Sequence, residues 1–381
     1  MESRTIGIVG ASGAVGAALA QELAGLPGTR LRLGAREPHH LSAARLEMSE
    51  CEFERCPVDA FDVDSLTAFC RDCEVVVNCA GPSCEVLDRV AHAALCNGAD
   101  YVDVAGDEPV YERLMPESPW LDGEGRRVVL SAGMMPGLTG LLPRNLARRR
   151  VQRPRRLTAY CGGLQRFTPA AARDFLSSLE NGHGESGALW RDGRRVSRAA
   201  SALSDVELPL FPARSDAHPF LSAEMERLAE ALQLDELSSF NVFPAERVLR
   251  VLAQWQAREP DGSLTLDDAR DGLVRASELD LAGLSPYQVM FFEMAGEHEG
   301  QSVSVGLGVH ARDGYRLTAL AASLAVTEIL DGQLPCGLSY FAEALTPGRA
   351  DVALRRSPVV TEYRFLDGEP AASDWFEEGV C

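Results

Sequence analysis

A chain of 381 residues, 46% hydrophobic and 24% charged, is long for one core and short for three, so it reads as a soluble globular protein of two domains, or of one domain with a large insertion. A formal net charge of -19 argues against nucleic acid or an anionic membrane surface as a partner for the whole molecule. No run approaches the roughly 18 apolar residues of a membrane helix, and the N-terminus passes straight into a strand pattern, which predicts a cytoplasmic protein.

Up to about Ser131, strand-length apolar runs alternate with helix-length segments. The strands are expected at Ile6 to Val9, Leu31 to Leu33, Val75 to Val77, Tyr101 to Val104 and Val128 to Leu130. The helices between them are expected at Ala14 to Ala24, Val63 to Cys70 and Glu85 to Asn97. This alternation predicts an α/β Rossmann domain, a doubly wound parallel sheet covered on both faces, over residues 1–135. From 136 to 333 the pattern changes to longer polar loops, a helix at Ala223 to Leu232 and a hairpin. The hairpin pairs Tyr287 to Ala295 with Gln301 to His310 across Gly296-Glu-His-Glu-Gly300. Alternation through Val303, Val305, Leu307 and Val309 predicts a half-buried, mostly antiparallel sheet in an α+β second domain for substrate binding and dimerisation. A helix from Leu317 to Leu330 then leads to a return segment, 334–381, expected to pack on the first domain.

The first turn carries chemistry. In Gly7-Ile-Val-Gly-Ala-Ser-Gly-Ala-Val-Gly16, Gly10, Gly13 and Gly16 have the GxxGxxG spacing between a strand and an alanine-rich helix. Such a turn presents backbone N–H groups at the positive end of a helix, where glycine lets a pyrophosphate approach; the plain alternative is a turn kept for packing. An Asp or Glu after the second strand would bind the ribose hydroxyls of NAD. Here Gly34-Ala35-Arg36 stands there, and a guanidinium suits a 2′-phosphate, with Ser12 able to add a hydroxyl. NADPH is therefore the expected cofactor, with Gly10, Ser12, Gly13, Ala14, Val15 and Arg36 as its ligands. Glu37 beside Arg36 leaves a ribose ligand open.

Three further segments follow: Asn78-Cys-Ala-Gly-Pro82, Asn97-Gly-Ala-Asp-Tyr-Val-Asp-Val-Ala-Gly-Asp107 and Ser131-Ala-Gly-Met-Met-Pro-Gly-Leu138. With the glycine turn, in this order, they resemble the saccharopine dehydrogenase-like family of NADP-dependent oxidoreductases, well over residues 5 to 150 and weakly at CGLSYFAEAL. The resemblance implies that Ala80, Gly81 and Pro82 pass beneath the nicotinamide ribose. It also implies that Tyr101 and Asp103 end the fifth strand near the nicotinamide, and that Met135-Pro136-Gly137 turns into the substrate domain. The family includes enzymes acting through imines, enoyl reductases and reductases proposed for thiazoline rings, so it implies hydride transfer more firmly than a substrate.

Every basic side chain other than histidine is arginine, for the chain has no lysine. That removes Tyr-x-x-x-Lys and Glu-Lys-Pro chemistry, and it departs from the lysine-forming saccharopine dehydrogenases, which use a lysine near the reacting nitrogen. The proton accompanying hydride must come from another group or from water. Tyr101, Asp103 and His183, the last in Asn181-Gly-His-Gly-Glu185, are the catalytic candidates. His298, His310 and His92 are weaker ones, and Cys79 and Cys84 read as packing groups. The ten cysteines form no framework, and Cys70 and Cys73 lie across a helix end with no second pair, so no metal is expected.

The expected activity is NADPH-dependent reduction of a C=N bond, an imine or a thiazoline ring, on a small or carrier-tethered siderophore or natural-product intermediate. An enoyl or carbonyl reductase of a lipid or polyketide, or a non-catalytic NADP-binding sensor, are the alternatives. Arg144, Arg148, Arg149, Arg150, Arg153, Arg155 and Arg156 crowd one segment. They read either as a solvated helix end and linker or as a dock for an acidic carrier protein. A homodimer is expected.

Overall fold

The computed structural model describes residues 4–41, 51–179, 184–258 and 264–367. The chain divides into two compact units, one made of residues up to Leu141 with Tyr315–Ala353, the other of Leu142–Gly314 with the segment from Leu354.

In chain order the first stretch is β1 (Arg4–Val9), α1 (Ala14–Ala24), β2 (Thr29–Ala35), β3 (Glu52–Pro57), α2 (Val63–Cys70), β4 (Val75–Asn78), α3 (Ser83–Val86), α4 (Arg89–Cys96), β5 (Asp100–Asp103), α5 (Glu108–Leu114), α6 (Ser118–Glu124), β6 (Arg127–Leu130) and α7 (Leu138–Arg150). The second stretch runs through β7 (Arg153–Leu164), α8 (Pro169–Ser178), β8 (Gly184–Ser186), β9 (Leu189–Arg191), β10 (Arg194–Val196), β11 (Leu203–Val206), β12 (Ser215–Ser222), α9 (Ala223–Leu232), β13 (Glu236–Phe243), α10 (Glu246–Gln256), α11 (Leu266–Leu281), β14 (Tyr287–His298) and β15 (Gln301–Ala311). Last come α12 (Gly314–Leu330), β16 (Gly337–Tyr340), α13 (Phe341–Ala344), α14 (Pro347–Arg356) and β17 (Val360–Asp367).

The first unit is built on a seven-stranded sheet in the order β16-β6-β5-β4-β1-β2-β3, and each of its pairings is parallel. Crossover helices cover a parallel sheet, so its central strands are apolar on both faces. Accordingly β4 is buried at all four positions, and Ile6, Ile8, Leu31 and Leu33 are wholly enclosed. Each such side chain contributes about 1.5–3 kcal/mol of transfer free energy. Asp62 starts α2 by accepting from the Asp64 and Ser65 amides. The expected α/β fold is the one observed: a Rossmann-type parallel sheet, and a second sheet that is mostly antiparallel as expected but mixed, since β13 pairs with β7 in parallel.

The second unit holds a ten-stranded sheet whose main path is β10-β9-β13-β7-β14-β15-β17. Its β14–β15 hairpin runs in register from Gln288 opposite Ala311 to His298 opposite Gln301. The turn is tighter than the five-residue link expected, because Glu299 and Gly300 both take positive φ, 51° and 77°, as a two-residue hairpin turn demands. Phe291, Val289 and Val242 lie in one core against Leu208 and Phe211. Leu176, Leu252, Trp255 and Leu273 pack α8, α10 and α11 in another.

Two expectations change in detail. The helix expected from Glu85 to Asn97 is broken into α3 and α4 at Leu87, whose φ is 51°. The boundaries expected at 135/136 and 333/334 shift to Leu141 and Tyr315, and the last stretch divides: β16 joins the first sheet beside β6, whereas β17 pairs with β15 in the second. No helix among the described residues is long and apolar enough to cross a membrane.

Candidate cofactor site

The turn from β1 into α1 is held by backbone. The Gly10 and Ala11 amides both donate to the Gly34 carbonyl, at 3.0 and 2.9 Å. Gly10 has φ +84°, and a Cβ there would lie 2.7 Å from the Ala80 nitrogen, while one on Gly16 would lie 2.3 Å from the Gly10 oxygen. These two glycines are therefore demanded by the fold. Gly13 differs. A Cβ there would meet only the Gly10 oxygen, at 3.2 Å, so a methyl group at the N-cap of α1 asks one carbonyl to give by a few tenths of an ångström.

No side chain caps that helix start, and Ser12, Gly13 and Ala14 are exposed with Val15 half-buried. The first turn of a helix leaves its N–H groups without intrahelical partners, and those dipoles favour an anion. Arg36 leaves the end of β2 exposed, and no hydrogen bond or ion pair engages its guanidinium among the described residues. Glu37 instead faces His39 at 3.7 Å. An uncapped glycine cradle beside an uncommitted guanidinium fits a dinucleotide with a 2′-phosphate.

Beyond the cradle lie the ends of β4 and β5. Asn78 and Asp103 close the two strands opposite one another in register. Asn78 Nδ2 donates to Asp103 Oδ2 at 3.0 Å, and Tyr101 OH donates to the same oxygen at 2.5 Å. Asn78 Oδ1 accepts from the Ala80 amide at 3.0 Å, and Asp103 Oδ1 accepts from the Ala105 amide at 2.9 Å. Asn78 and Asp103 are each 2% exposed and Tyr101 is fully enclosed. Burial, reinforced by the adjacent carboxylate, pushes the Tyr101 phenol well up. Burial also raises the Asp103 carboxyl, against the opposing pull of Tyr101, Asn78 and two backbone amides. Cys79 is pushed up by burial too.

Of the expected site residues, Gly10, Ser12, Gly13, Ala14 and Val15 form the turn from β1 into α1, and Arg36 follows the end of β2, whose Gly34 carbonyl holds that turn. Ala80, Gly81 and Pro82 follow β4, abutting Gly10 through Ala80, with Gly81 exposed. Tyr101 and Asp103 lie at the end of β5, where a nicotinamide is expected, with Tyr101 fully enclosed and Asp103 2% exposed. His183 lies outside the described residues. Residues 135–137 do form a sharp turn, in which Gly137 has φ +130° and a Cβ would sit 2.3 Å from the Gly133 oxygen. Asn78 is the residue that motif reading missed. Its signal was a polar side chain closing an otherwise apolar strand, Val75-Val-Val-Asn78.

Two of the weaker histidine candidates have structural partners, whereas His298 Nδ1 is buried with no hydrogen-bond partner among the described residues. His92 contacts Asp88 and Glu117, and His310 Nδ1 lies 2.5 Å from Thr361 Oγ1. Burial pushes the Cys70 thiol up to about 12 and the Cys73 thiol up to about 11, and no group of potential metal ligands occurs among the described residues. In the arginine segment, Arg153 pairs with Glu297 at 3.7 Å and Arg155 with Asp235 at 3.5 Å. Arg149 and Arg150 lie over the Phe365 ring.

Cradle, guanidinium and strand-end network together define a nucleotide-binding domain of the NADP class. Residues 6–119 match the family model described as "Saccharopine dehydrogenase NADP binding domain", so this stretch is a domain of that family and its cofactor is NADP(H). A probable mitochondrial saccharopine dehydrogenase-like oxidoreductase from Arabidopsis thaliana is 30% identical over 119 residues. That match spans 28% of this chain and 26% of the plant protein. The apo saccharopine dehydrogenase (L-Glu forming) from Saccharomyces cerevisiae has the same fold, with a TM-score of 0.67 at 14% identity, over 96% of this chain and 100% of that one.

Proposed function

We propose that the protein is an NADPH-dependent reductase that delivers hydride to the carbon of a C=N bond, in an imine or a thiazoline ring. The observation that carries the cofactor half is the exposed, uncommitted Arg36 beside the uncapped Gly13 end of α1. The Ser131-Ala-Gly…Pro136-Gly-Leu138 turn, which resembles the imine-handling branch of the family, supports the C=N half.

Bound NADPH supplies the hydride. The chain's own residues hold and orient: Arg36 and Ser12 take the 2′-phosphate, the α1 amides take the pyrophosphate, and the Ala80–Pro82 turn supports the nicotinamide ribose. With Tyr101 and Asp103 enclosed and lysine absent from the chain, the proton reaching nitrogen comes from water, from the substrate's own iminium form or from His183. A substrate tethered to an acidic carrier would find exposed arginines at Arg148 and Arg156. Charge reversal at both is expected to weaken carrier binding, and unchanged affinity would remove the carrier.

Fluorescence titration with NADPH and NADH, then cofactor oxidation against imines, thiazolines and enoyl thioesters, tests the whole reading. Turnover of C=N substrates is the expected result. Faster turnover of enoyl thioesters would move the activity to C=C reduction. Tight NADPH binding without turnover of any substrate class would leave a non-catalytic NADP-binding sensor.

A further inference from the structure

The polar side chains at the ends of β4 and β5 are in the wrong place for packing alone. Strand ladders satisfy themselves through backbone, and an apolar residue would fill the same volume without a desolvation cost. Instead, Asn78, Asp103 and Tyr101 form a closed set. Asp103 Oδ2 takes the Tyr101 hydroxyl and the Asn78 amide, and Oδ1 takes the Ala105 amide. The Gly106 amide also donates to the carboxylate. Asn78 uses its remaining oxygen on the Ala80 amide.

Traced through these bonds, Asn78 and Asp103 link the turn after β4 to the turn after β5 by side chains alone. Backbone extends the tie: the Ala132 amide beyond β6 donates to the Asp103 carbonyl at 2.8 Å, and the Val104 amide donates to the Asn78 carbonyl at 3.2 Å. The turn at Gly106 closes so tightly on the carboxylate that a Cβ there would lie 2.8 Å from Asp103 Cγ. Ala80, at one end of this chain of bonds, is the residue that Gly10 of the phosphate cradle abuts. Ligands of open α/β sheets lie beyond the carboxyl ends of the strands, which is where these turns are.

We propose that Asn78, Asp103 and Tyr101 are a buried clamp that fixes the turns at Ala80–Pro82 and Ala105–Gly106 as a preformed support for the nicotinamide half of the cofactor. The proposal rests on the NADPH reading above. Tyr101 anchors the carboxylate to the core, Asp103 gathers both turns, and Asn78 transmits the arrangement to Ala80. All three are positioning residues that touch neither hydride nor substrate.

A cofactor fragment separates this role from general structural support. 2′,5′-ADP carries the adenosine and the 2′-phosphate but no nicotinamide. Asn78→Ala is expected to weaken NADPH about tenfold, the scale of a lost buried hydrogen bond, with 2′,5′-ADP changed less than about twofold. Tyr101→Phe, which removes one hydroxyl and keeps the ring, should show the same selectivity at roughly threefold. It carries the test if Asn78→Ala does not fold. Parallel loss for both ligands, or no loss for either, overturns the clamp. Failure of the unaltered protein to bind 2′,5′-ADP would instead overturn the cofactor reading, and the clamp with it.

Discussion

Gly10 and Ala80 approach so closely that a Cβ on the glycine would lie 2.7 Å from the alanine nitrogen. The phosphate cradle and the turn that follows β4 are thus one surface made of backbone, with no side chain between them. Substitutions in this region divide into those that break the surface and those that only obstruct it.

Gly10→Ala breaks it, because φ +84° and the contacts with Cys79 and Ala80 both oppose a methyl group. A loss of about 1–3 kcal/mol in stability is expected, read as a lower midpoint in urea. Gly13→Ala only obstructs: with a single contact at 3.2 Å the fold should hold, while NADPH affinity falls at least about tenfold. Equal effects of the two substitutions on stability would contradict this division.

Arg36→Ala should weaken NADPH by about 1.5–3 kcal/mol, the range of a hydrogen bond to a charged group, and leave NADH almost unchanged. Titrations at two ionic strengths check it. The salt dependence of NADPH binding should become shallower in the variant, because a phosphate contact has been lost. Identical losses for the two nucleotides would return the ribose to Glu37.

In the second unit, α10 begins without a side-chain cap of its own. Asp280 of α11 supplies one, accepting from the Val248 amide at 3.0 Å and from Arg247 Nη1 at 3.1 Å, with its side chain 1% exposed. Asp280→Ala strands that amide and should cost about 1–3 kcal/mol in urea unfolding. Asp280→Asn keeps an acceptor and should cost less; a larger cost for Asn than for Ala would refute the capping role.

Tyr287 has a buried hydroxyl with no hydrogen-bond partner among the described residues, and burial pushes its phenol up to about 12. Tyr287→Phe removes an unsatisfied group and should be neutral or stabilising by up to about 1–3 kcal/mol. The pH dependence has a definite sign. The unfolded chain loses this proton near the ordinary tyrosine value of about 10, and the folded protein holds it until about 12. Over that interval the folded state binds more protons, so stability falls as pH rises. Chemical denaturation from pH 9 to 11 should show a shallower decline in Tyr287→Phe, and parallel profiles would argue against it.

Much of the first unit was legible because its segments are locally consistent. α1 and α2 fall at the expected bounds, as apolar periodicity and the Asp62 cap both point the same way. β3 was missed because an edge strand of sequence Glu-Phe-Glu-Arg-Cys-Pro is largely solvent-facing and shows no apolar run. The break at Leu87 was invisible, since nothing about leucine signals a left-handed backbone. In the second unit, short strands such as β10 and β11 are polar at half or more of their positions and read as loops. At the site, glycine spacing and Arg36 could be read because backbone geometry and charge are local properties. The role of Asn78 could not, because it exists only once β4 and β5 lie side by side.

The strand order carries a consequence for synthesis. β6 is laid down near residue 130, but its outer neighbour β16 emerges only at Gly337–Tyr340, and β15 waits for Val360–Asp367. A ribosome therefore releases most of both sheets with one flank bare, and the nascent protein must keep two unpaired hydrogen-bonding edges from foreign strands until residues 337–367 have been made.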